Sequence, residues 1–235
     1  FPDMQIAVAR NKAGTNEGLS LAAKRGNNGE GHNHNDVGSC IVFYDGNPVL
    51  VDAGVGTYTK ETFTGNRYKI WTMQSAYHNL PVINGTQQST GGRFRAADPR
   101  YEATPSSVSF SADIAGAYPE EARVERWIRS YRLERDKGIR ISDRYRLKEI
   151  TGTTELHFLT PLECSVVRPG LLELKGPHFR VHLSYKPAQL AASIERIPID
   201  DSRLQRAWGD RLYRLVLKAT ERKSGELTLD LRATE

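Results

Sequence analysis

The stretch SCIVFYDGNPVLVDAG, residues 39–54, contains two apolar segments rich in β-branched side chains, separated by Asp45-Gly46-Asn47. Aspartate, glycine and asparagine tolerate the positive φ angles that tight hairpin turns need. Two apolar segments joined by so few turn residues are typical of paired antiparallel strands. The stretch therefore predicts a β-hairpin whose second strand ends at Asp52.

The same pattern recurs along the chain. The segment WIRSYRLERDKGIRISDRYRL, residues 127–147, predicts a second hairpin that turns at Asp136-Lys137-Gly138. Further strands are predicted at 3–10, 19–25, 81–84, 92–96, 107–113, 155–160, 179–185, 211–218 and 226–232. Many short strands separated by turn residues are typical of a β-sandwich or barrel. We expect one all-β domain over residues 1–235, built as a two-sheet antiparallel β-sandwich with few short helices.

Helical periodicity is almost absent from the chain. Short helical segments are expected only near 66–75 and 118–124, and neither has strong caps. The segment RPGLLELKGPHF, residues 168–179, is interpreted as a turn-rich connection inside the domain. No repeat or linker divides the sequence.

Composition limits the classes of partner. No stretch of 18 apolar residues exists, so no membrane span is expected. The net charge is +5, but acidic residues interrupt the basic ones. In RVERWIRSYRLERDKGIRISDRYRLK, residues 123–148, the charges are interpreted as the solvated face of strands, and no nucleic-acid partner is expected. The two cysteines, Cys40 and Cys164, form either one bridge or two buried thiols, and their apolar surroundings favour thiols.

Two histidines stand one residue apart just before the first hairpin. His32 and His34 occur in GHNHND, residues 31–36, and an extended backbone would point them the same way. Because the second strand of a hairpin returns to the start of the first, Asp52 is expected near His34. His78, which precedes another predicted strand, is a third candidate donor.

Two imidazoles and a carboxylate are ligands that zinc favours, and three protein ligands leave a fourth position open. The nearby amide and carboxyl groups would then fix the tautomers of the imidazoles. These groups belong to Asn33, Asn35, Asp36 and Asn79. The alternative is ordinary turn chemistry, in which Asn and Asp side chains bond their own backbone. Spacing alone leaves both interpretations open.

Four segments occur in one order: GHNHNDVGS, VLVDAGVGTYT, NRY and YHNLPVING. In this order they resemble the C-terminal domain of the heparinase II/III family of polysaccharide lyases and the related alginate lyases. The resemblance is close over residues 19–95 and looser beyond. It implies a two-sheet β-sandwich that follows an N-terminal α/α toroid and binds zinc or another divalent metal.

The resemblance also implies roles for individual residues. It makes His34, Asp52 and His78 the metal ligands. It places His32 at the substrate cleft in a catalytic or charge-neutralising role. A tyrosine between the aspartate and the last histidine would supply the acid; Tyr68 is favoured, with Tyr58 second. Asn33 and Arg67 are candidates for binding the substrate.

The implied reaction is β-elimination at a uronic acid of an acidic polysaccharide, which needs a neutralised carboxylate, a base and an acid. The implied partners are that polysaccharide and the toroid, and the implied location is periplasmic or secreted. The chain begins FPDMQIAVARN and contains no long helical segment. We therefore expect it to be a piece of a longer protein, holding half of an active site and inactive alone.

Two other functions compete with this one. The first is a non-catalytic carbohydrate-binding or scaffold module with a structural zinc site. The second is a zinc hydrolase that uses metal-bound water. The hydrolase is disfavoured because no H-E-x-x-H segment occurs and no glutamate lies beside the histidines.

Overall fold

The computed structural model describes residues 5–234, and antiparallel strands dominate them. The strands are β1 (Ile6–Arg10), β2 (Leu19–Lys24), β3 (Asn27–Asn28), β4 (Cys40–Tyr44), β5 (Asn47–Leu50), β6 (Pro81–Val82), β7 (Gly91–Arg95), β8 (Ala97–Ala103), β9 (Ser107–Asp113), β10 (Val124–Glu134), β11 (Gly138–Leu147), β12 (Glu155–Thr160), β13 (Glu163–Arg168), β14 (Leu171–Lys175), β15 (Arg180–Tyr185), β16 (Leu190–Pro198), β17 (Arg211–Ala219) and β18 (Ser224–Thr234). The one α-helix among these residues is α1 (Ser202–Trp208). Short 3-10 turns lie at Glu61–Phe63, Gly65–Lys69, Trp71–Met73, Ser75–Tyr77, Ala115–Ala117 and Glu120–Ala122.

The strands form two layers. One layer is an eight-stranded sheet in the order β13-β14-β15-β18-β11-β10-β9-β8. The other contains two four-stranded sheets, β1-β2-β4-β5 and β16-β17-β12-β6, joined where the Val51 N–H donates to the Leu159 carbonyl at 2.9 Å. A small β3-β7 sheet lies beside them. Buried apolar side chains from both layers pack into one core. The predicted all-β sandwich with few short helices is confirmed.

The first hairpin forms as its sequence predicts. Strands β4 and β5 pair in antiparallel register, with Tyr44 opposite Asn47. Asp45 and Gly46 make the turn with φ values of 47° and 76°. Positive φ at both central residues is the signature of a type I′ turn, whose twist matches that of the strands. The turn therefore reverses the direction of the chain. The returning segment contains the fully buried Val49 and Leu50 and leads to Asp52.

The second hairpin also forms, but one expectation about its charges is wrong. Strands β10 and β11 pair along their length, from Val124 opposite Leu147 to Glu134 opposite Gly138. Arg129 and Asp143 were expected on the solvated face, yet their side chains are 1% and 0% exposed. The reason is the alternation of the strands, which places Arg129 on the same face as the buried Trp127 and Tyr131.

Several elements differ from the sequence expectation. The segment 168–179 is not only a connection, because β14 lies within it and pairs with both β13 and β15. Strands β8, β13 and β16 and helix α1 were not predicted. The expected helical segments 66–75 and 118–124 are short 3-10 turns that give way to extended backbone, and β10 begins at Val124. Residues 3 and 4 of the predicted strand 3–10 lie outside the described residues.

Two further observations bear on composition. Cys40 and Cys164 are both free thiols, Cys40 buried and Cys164 half-buried. Burial raises the pKa of the Cys40 thiol to about 12. Across residues 5–234, no helix has both the length and the apolar character needed to span a bilayer.

Candidate metal centre

The loop that carries His34 runs between β2 and β4 and is closed at its base. The Lys24 N–H donates to the Ser39 carbonyl at 2.9 Å, and the Gly38 N–H donates to the Lys24 carbonyl at 3.0 Å. The Lys24 ammonium also pairs with the Asp36 carboxylate at 2.8 Å. Both ends of the loop are thus fixed to adjacent strands, so His34 is held near the start of β4.

Buried amides hold the middle of the same loop. The side-chain oxygen of Asn28 accepts the Asp36 N–H at 3.2 Å, and its amide donates to Gln88 at 3.0 Å. Gln88 in turn bonds both backbone groups of Val37, accepting at 3.1 Å and donating at 2.7 Å. Because these buried amides have partners, the loop has a defined shape despite its polar sequence.

Asp52 lies at the junction of the two four-stranded sheets. It follows Val51, whose N–H bonds β12, and its Oδ1 accepts the Gly54 N–H at 2.6 Å. The other carboxylate oxygen, Oδ2, lies 3.2 Å from Nδ1 of His78 and 3.8 Å from Nδ1 of His34. The expected approach of Asp52 to His34 across the hairpin is therefore present.

His78 completes the cluster from the opposite side. It follows the 3-10 turn Ser75–Tyr77 and is fully buried, and its ring centroid lies 5.2 Å from that of His34. Neither of its ring nitrogens makes a hydrogen bond of good geometry; Nδ1 faces the Asp52 carboxylate, and Nε2 faces no acceptor or donor among the described residues. Burying ring nitrogens without hydrogen bonds is costly, because they have lost their bonds to water. A metal ion would supply the missing bond.

The donor set fits a divalent cation. One ligand atom from each of His34, Asp52 and His78 lies within 4.8 Å of the others, close enough for all three to reach one ion. Two imidazole nitrogens and a carboxylate oxygen are the types that zinc prefers. Within residues 5–234, no other group of three His, Cys, Asp or Glu side chains comes together in this way.

The three groups shift each other's protonation. Burial opposes the charge on Asp52, but the imidazole of His78, then that of His34, and the Gly54 N–H together hold its pKa below the usual range. Burial also opposes a charged His78, but the Asp52 carboxylate outweighs it and raises the pKa of His78. Burial lowers the pKa of His34. Without metal, the cluster is therefore organised around an Asp52 carboxylate and a proton on His78.

The side chains expected to orient the imidazoles bond the backbone or other side chains instead. Asn79 bonds the Cys40 and Val51 carbonyls, and Asn35 bonds Thr90. Asp36 is engaged by Lys24. None of them bonds a ring nitrogen of His78. They fix the positions of the segments that carry the ligands rather than the tautomers of the rings.

A second group of predicted residues meets beside the cluster. The Tyr68 hydroxyl donates to Oδ1 of Asn33 at 2.9 Å, and Nη2 of Arg67 donates to the Asn33 carbonyl at 3.0 Å. The Arg67 guanidinium lies 5.5 Å from the centre of the Tyr68 ring. Because Asn33 directly precedes His34, these three side chains lie at the edge of the metal cluster.

His32 and Tyr58 are placed differently. His32 is exposed and has a φ of 57°, a left-handed conformation uncommon for a side chain of its size. The Tyr58 ring stacks on Phe63 at 5.6 Å, with the Arg203 guanidinium 5.4 Å from its centre. Neither contacts Tyr68, so the structure brings Asn33, Arg67 and Tyr68 together without Tyr58.

Sequence reasoning missed the buried residues that support the centre. Arg129 reaches it from the eight-stranded sheet by donating to the Asn79 carbonyl at 2.6 Å, and Gln88 holds the loop. A signal for Arg129 was present, because it alternates with Trp127 and Tyr131 along β10. No comparable pattern marks Gln88.

Comparison with protein-family models matches residues 1–188 to the family described as heparinase II/III-like, C-terminal. Solved structures share the fold. The heparinase III BT4657 gene product has a TM-score of 0.75 at 16% identity, over 98% of this chain and 35% of that one. Heparan sulfate lyase HepC from Pedobacter heparinus has a TM-score of 0.73 at 14% identity, over 92% and 33%. The chain thus spans about a third of these proteins' length. No curated protein matches its sequence.

Proposed function

The chain belongs to the heparinase II/III-like C-terminal family, and on that premise we propose that it is the metal-binding β-sandwich domain of a polysaccharide lyase. This membership confirms the resemblance carried by the four sequence segments. The observation that supports the proposal most is the meeting of Asn33, Arg67 and Tyr68 at the edge of the His34, Asp52 and His78 cluster.

The proposed substrate is a uronate-containing acidic polysaccharide. In β-elimination a base removes the proton at C5, the bond from C4 to the bridging oxygen breaks, and an acid protonates the departing oxygen. The substrate carboxylate must be neutralised so that the charge developing next to it is tolerated. Arg67 supplies a cation for this purpose, and the exposed His32 is the second candidate.

Tyr68 is the proposed proton donor. Its hydroxyl is held by Asn33, and the guanidinium of Arg67 lies beside its ring, where a positive charge stabilises negative charge that develops on the phenol oxygen. Tyr58 is second, because its ring stacks on Phe63 and it lies apart from Asn33.

The proposed role of the metal is structural. Zinc or another divalent ion would be held by His34, Asp52 and His78, tying the loop that carries His32 and Asn33 to the two sheets. Bound metal contributes to folding free energy, because the ligands come together only in the folded chain.

The active site is proposed to need a second domain. Relatives of known structure are about three times as long as this chain, and the proposed partner is an N-terminal α/α toroid of the same parent protein. The sandwich then provides one wall of the cleft and is inactive alone. The parent is proposed to be periplasmic or secreted, where acidic polysaccharides are encountered.

The reaction is tested in the full-length parent, incubated with heparan sulfate, alginate and other uronate polymers. We expect ultraviolet absorbance from the unsaturated product on at least one polymer. Tyr68→Phe should lower kcat by about 100-fold or more, since a positioned acid contributes that much. Tyr58→Phe is the matched control and should retain activity. Release of saturated sugars without absorbance would refute the lyase, and binding without cleavage would favour a carbohydrate-binding module.

The metal is tested on the chain itself. Elemental analysis should find one divalent ion per wild-type chain and none in His34→Ala, because two remaining ligands hold the ion too weakly. His182→Ala is the control, since that histidine lies on β15 beside Glu173, in the other layer. A folded wild-type protein that holds no divalent ion and takes none up from added Zn²⁺ would exclude the site.

A further inference from the structure

A fully buried ion pair lies between the layers. Nε and Nη2 of Arg129 each donate to one carboxylate oxygen of Asp143 at 2.8 Å, and Trp127 Nε1 donates to the same carboxylate at 2.6 Å. Arg129 and Asp143 are also directly opposite each other in the β10–β11 register. The geometry is bidentate and every carboxylate oxygen has a donor, so the guanidinium is held in one orientation.

Stability alone does not account for this pair. Removing two charges from water is expensive, and well-packed apolar residues in the same volume are often equally stable or more stable. The neighbouring inward positions of both strands are apolar or aromatic, namely Tyr131 and Leu133 on β10 and Ile139 and Ile141 on β11. An arginine among them therefore points to a task besides filling the core.

The remaining nitrogen of the guanidinium indicates that task. Nη1 of Arg129 crosses the core and donates to the Asn79 carbonyl at 2.6 Å. Asn79 directly follows His78 and lies in the other layer. A charge-assisted hydrogen bond to a backbone carbonyl is short and strong. It therefore fixes the backbone at Asn79, the residue after the buried candidate ligand His78.

The side chain of Asn79 extends this link to the other two ligands. Its amide donates to the Cys40 carbonyl at 2.6 Å, at the start of the strand that follows the His34 loop. The same amide donates to the Val51 carbonyl at 3.1 Å, one residue before Asp52. Its oxygen accepts the Leu159 N–H at 2.7 Å. One asparagine thus joins the segments that carry all three candidate ligands.

We infer that Arg129, oriented by Asp143 and Trp127, is a positioning residue of the metal centre. It holds Asn79, and through Asn79 it sets the spacing of His34, Asp52 and His78 before metal arrives. The inference rests on the metal site of the proposed function, but not on lyase activity. A positioning role predicts that metal affinity and folding stability respond differently when the pair is replaced.

The test replaces the pair as a unit. In Arg129→Met/Asp143→Leu no charge is left buried without a partner, and only Trp127 Nε1 and the Asn79 carbonyl lose a hydrogen bond, so the variant should remain folded in chelator. The dissociation constant for Zn²⁺ should nevertheless rise by about 10- to 100-fold, as when other supporting partners of metal ligands are lost. The matched control is Arg140→Met/Asp230→Leu, which removes an exposed pair on β11 and β18 and should leave the constant unchanged.

A milder variant keeps the inference testable if the double variant fails to fold. Arg129→Lys retains the charge beside Asp143 but cannot bond Asp143 at two points and Asn79 together. We expect a weaker Zn²⁺ constant and an altered visible absorption spectrum with Co²⁺, which reports ligand geometry.

The outcomes separate the alternatives. Unchanged Zn²⁺ affinity and Co²⁺ spectrum in a folded pair variant, or in Arg129→Lys, would reduce Arg129 to a core residue and overturn the inference. A wild-type protein that binds no Zn²⁺ would remove the site itself and the inference with it. A weakened Zn²⁺ constant in the variants, together with no lyase activity in the full-length parent, would refute the proposed reaction and leave the positioning role supported.

Discussion

At the scale of single residues, Asp52 is central to the candidate metal centre, because one of its oxygens lies between two imidazoles. The pKa of Asp52 is held below its usual range and that of His78 is raised above it, each by the charge of the other. In the metal-free protein the two therefore form an ion pair. Bound metal would replace that pair by ligand bonds. The contribution of the pair to the free energy of unfolding can therefore be measured only in chelator.

The ion pair predicts a pH window for the effect of Asp52→Asn in chelator. A lowered carboxyl pKa gives stability that is present above the unfolded value of about 3.9 and is lost as the pH falls. A raised imidazole pKa gives stability that is present below the unfolded value of about 6.5 and is lost as the pH rises through the folded value. The substitution should therefore destabilise most between these two values, and less once the pH has risen past the raised pKa of His78.

The measurement is the urea midpoint of wild type and variant across this pH range. Asp230→Asn, at the exposed pair with Arg140, is the control and should show no such window around neutral pH. A destabilisation by Asp52→Asn that stays constant from pH 5 into the alkaline range would contradict the ion pair.

The residue scale also shows what the sequence could reveal of the centre. Asp52 and His34 could be placed together because the second strand of a hairpin returns to the start of the first. Arg129 was missed despite its alternation with Trp127 and Tyr131, because the nearby Arg126 and Arg132 make the charges of the segment resemble one solvated face. The three arginines differ only in the face of β10 on which each lies. The buried Arg129 bonds Asn79, which lies 50 residues away in the sequence.

At the scale of elements, the turn at Asp45 and Gly46, together with the register shift between Val42 and Phe43, sets the pairing of β4 and β5 that leads to Asp52. A Cβ at Gly46, whose φ is 76°, would lie 2.7 Å from the side-chain nitrogen of Asn16. Gly46→Ala should therefore lower the free energy of unfolding by about 1–2 kcal/mol, the cost of a left-handed conformation for a residue with a side chain. Chemical denaturation of the wild type and the variant measures this change in the free energy of unfolding. Gly65→Ala, where φ is not positive and no atom lies within 4 Å, is the control and should be nearly neutral.

The edge strands that the sequence failed to predict share a physical reason. Every residue of β8 is exposed, so it lacks the alternation that identifies a half-buried strand, and it includes Pro99. Strand β13, at the other edge of the same sheet, is also largely exposed. Edge strands are recognised by their pairing rather than by their side chains. Helix α1 is too short for periodicity, although its cap Asp201 and the following Gly209 were visible signals.

At the scale of the whole molecule, metal is expected to order one loop rather than the entire sandwich. The large core contains buried side chains from both layers and does not depend on the cluster. The loop of residues 25–39, in contrast, is fixed by its closed base, by buried amides and by His34. Removal of metal would break the ligand bond at His34. This loss should free part of the loop and leave the sheets intact.

Hydrogen exchange with and without chelator measures this effect. Peptides that cover residues 25–39 should exchange faster in chelator, and the melting temperature should fall. Peptides from β10, β11 and β18 serve as the internal control and should keep their protection. Equal exchange of the loop in both conditions, together with an unchanged melting temperature, would contradict the expectation.

The reach of Asn79 across the core has a consequence for how the chain acquires its shape. All three candidate ligands lie in the first third of the sequence. Asn79, which follows the last of them, is held by Arg129 and by the Leu159 N–H, which belong to strands much later in the sequence. Contacts so distant along the chain are slow to form. Metal uptake during refolding should therefore lag behind the first hairpin and coincide with closure of the two layers, so that a coloured ion such as Co²⁺ would time the final step of folding.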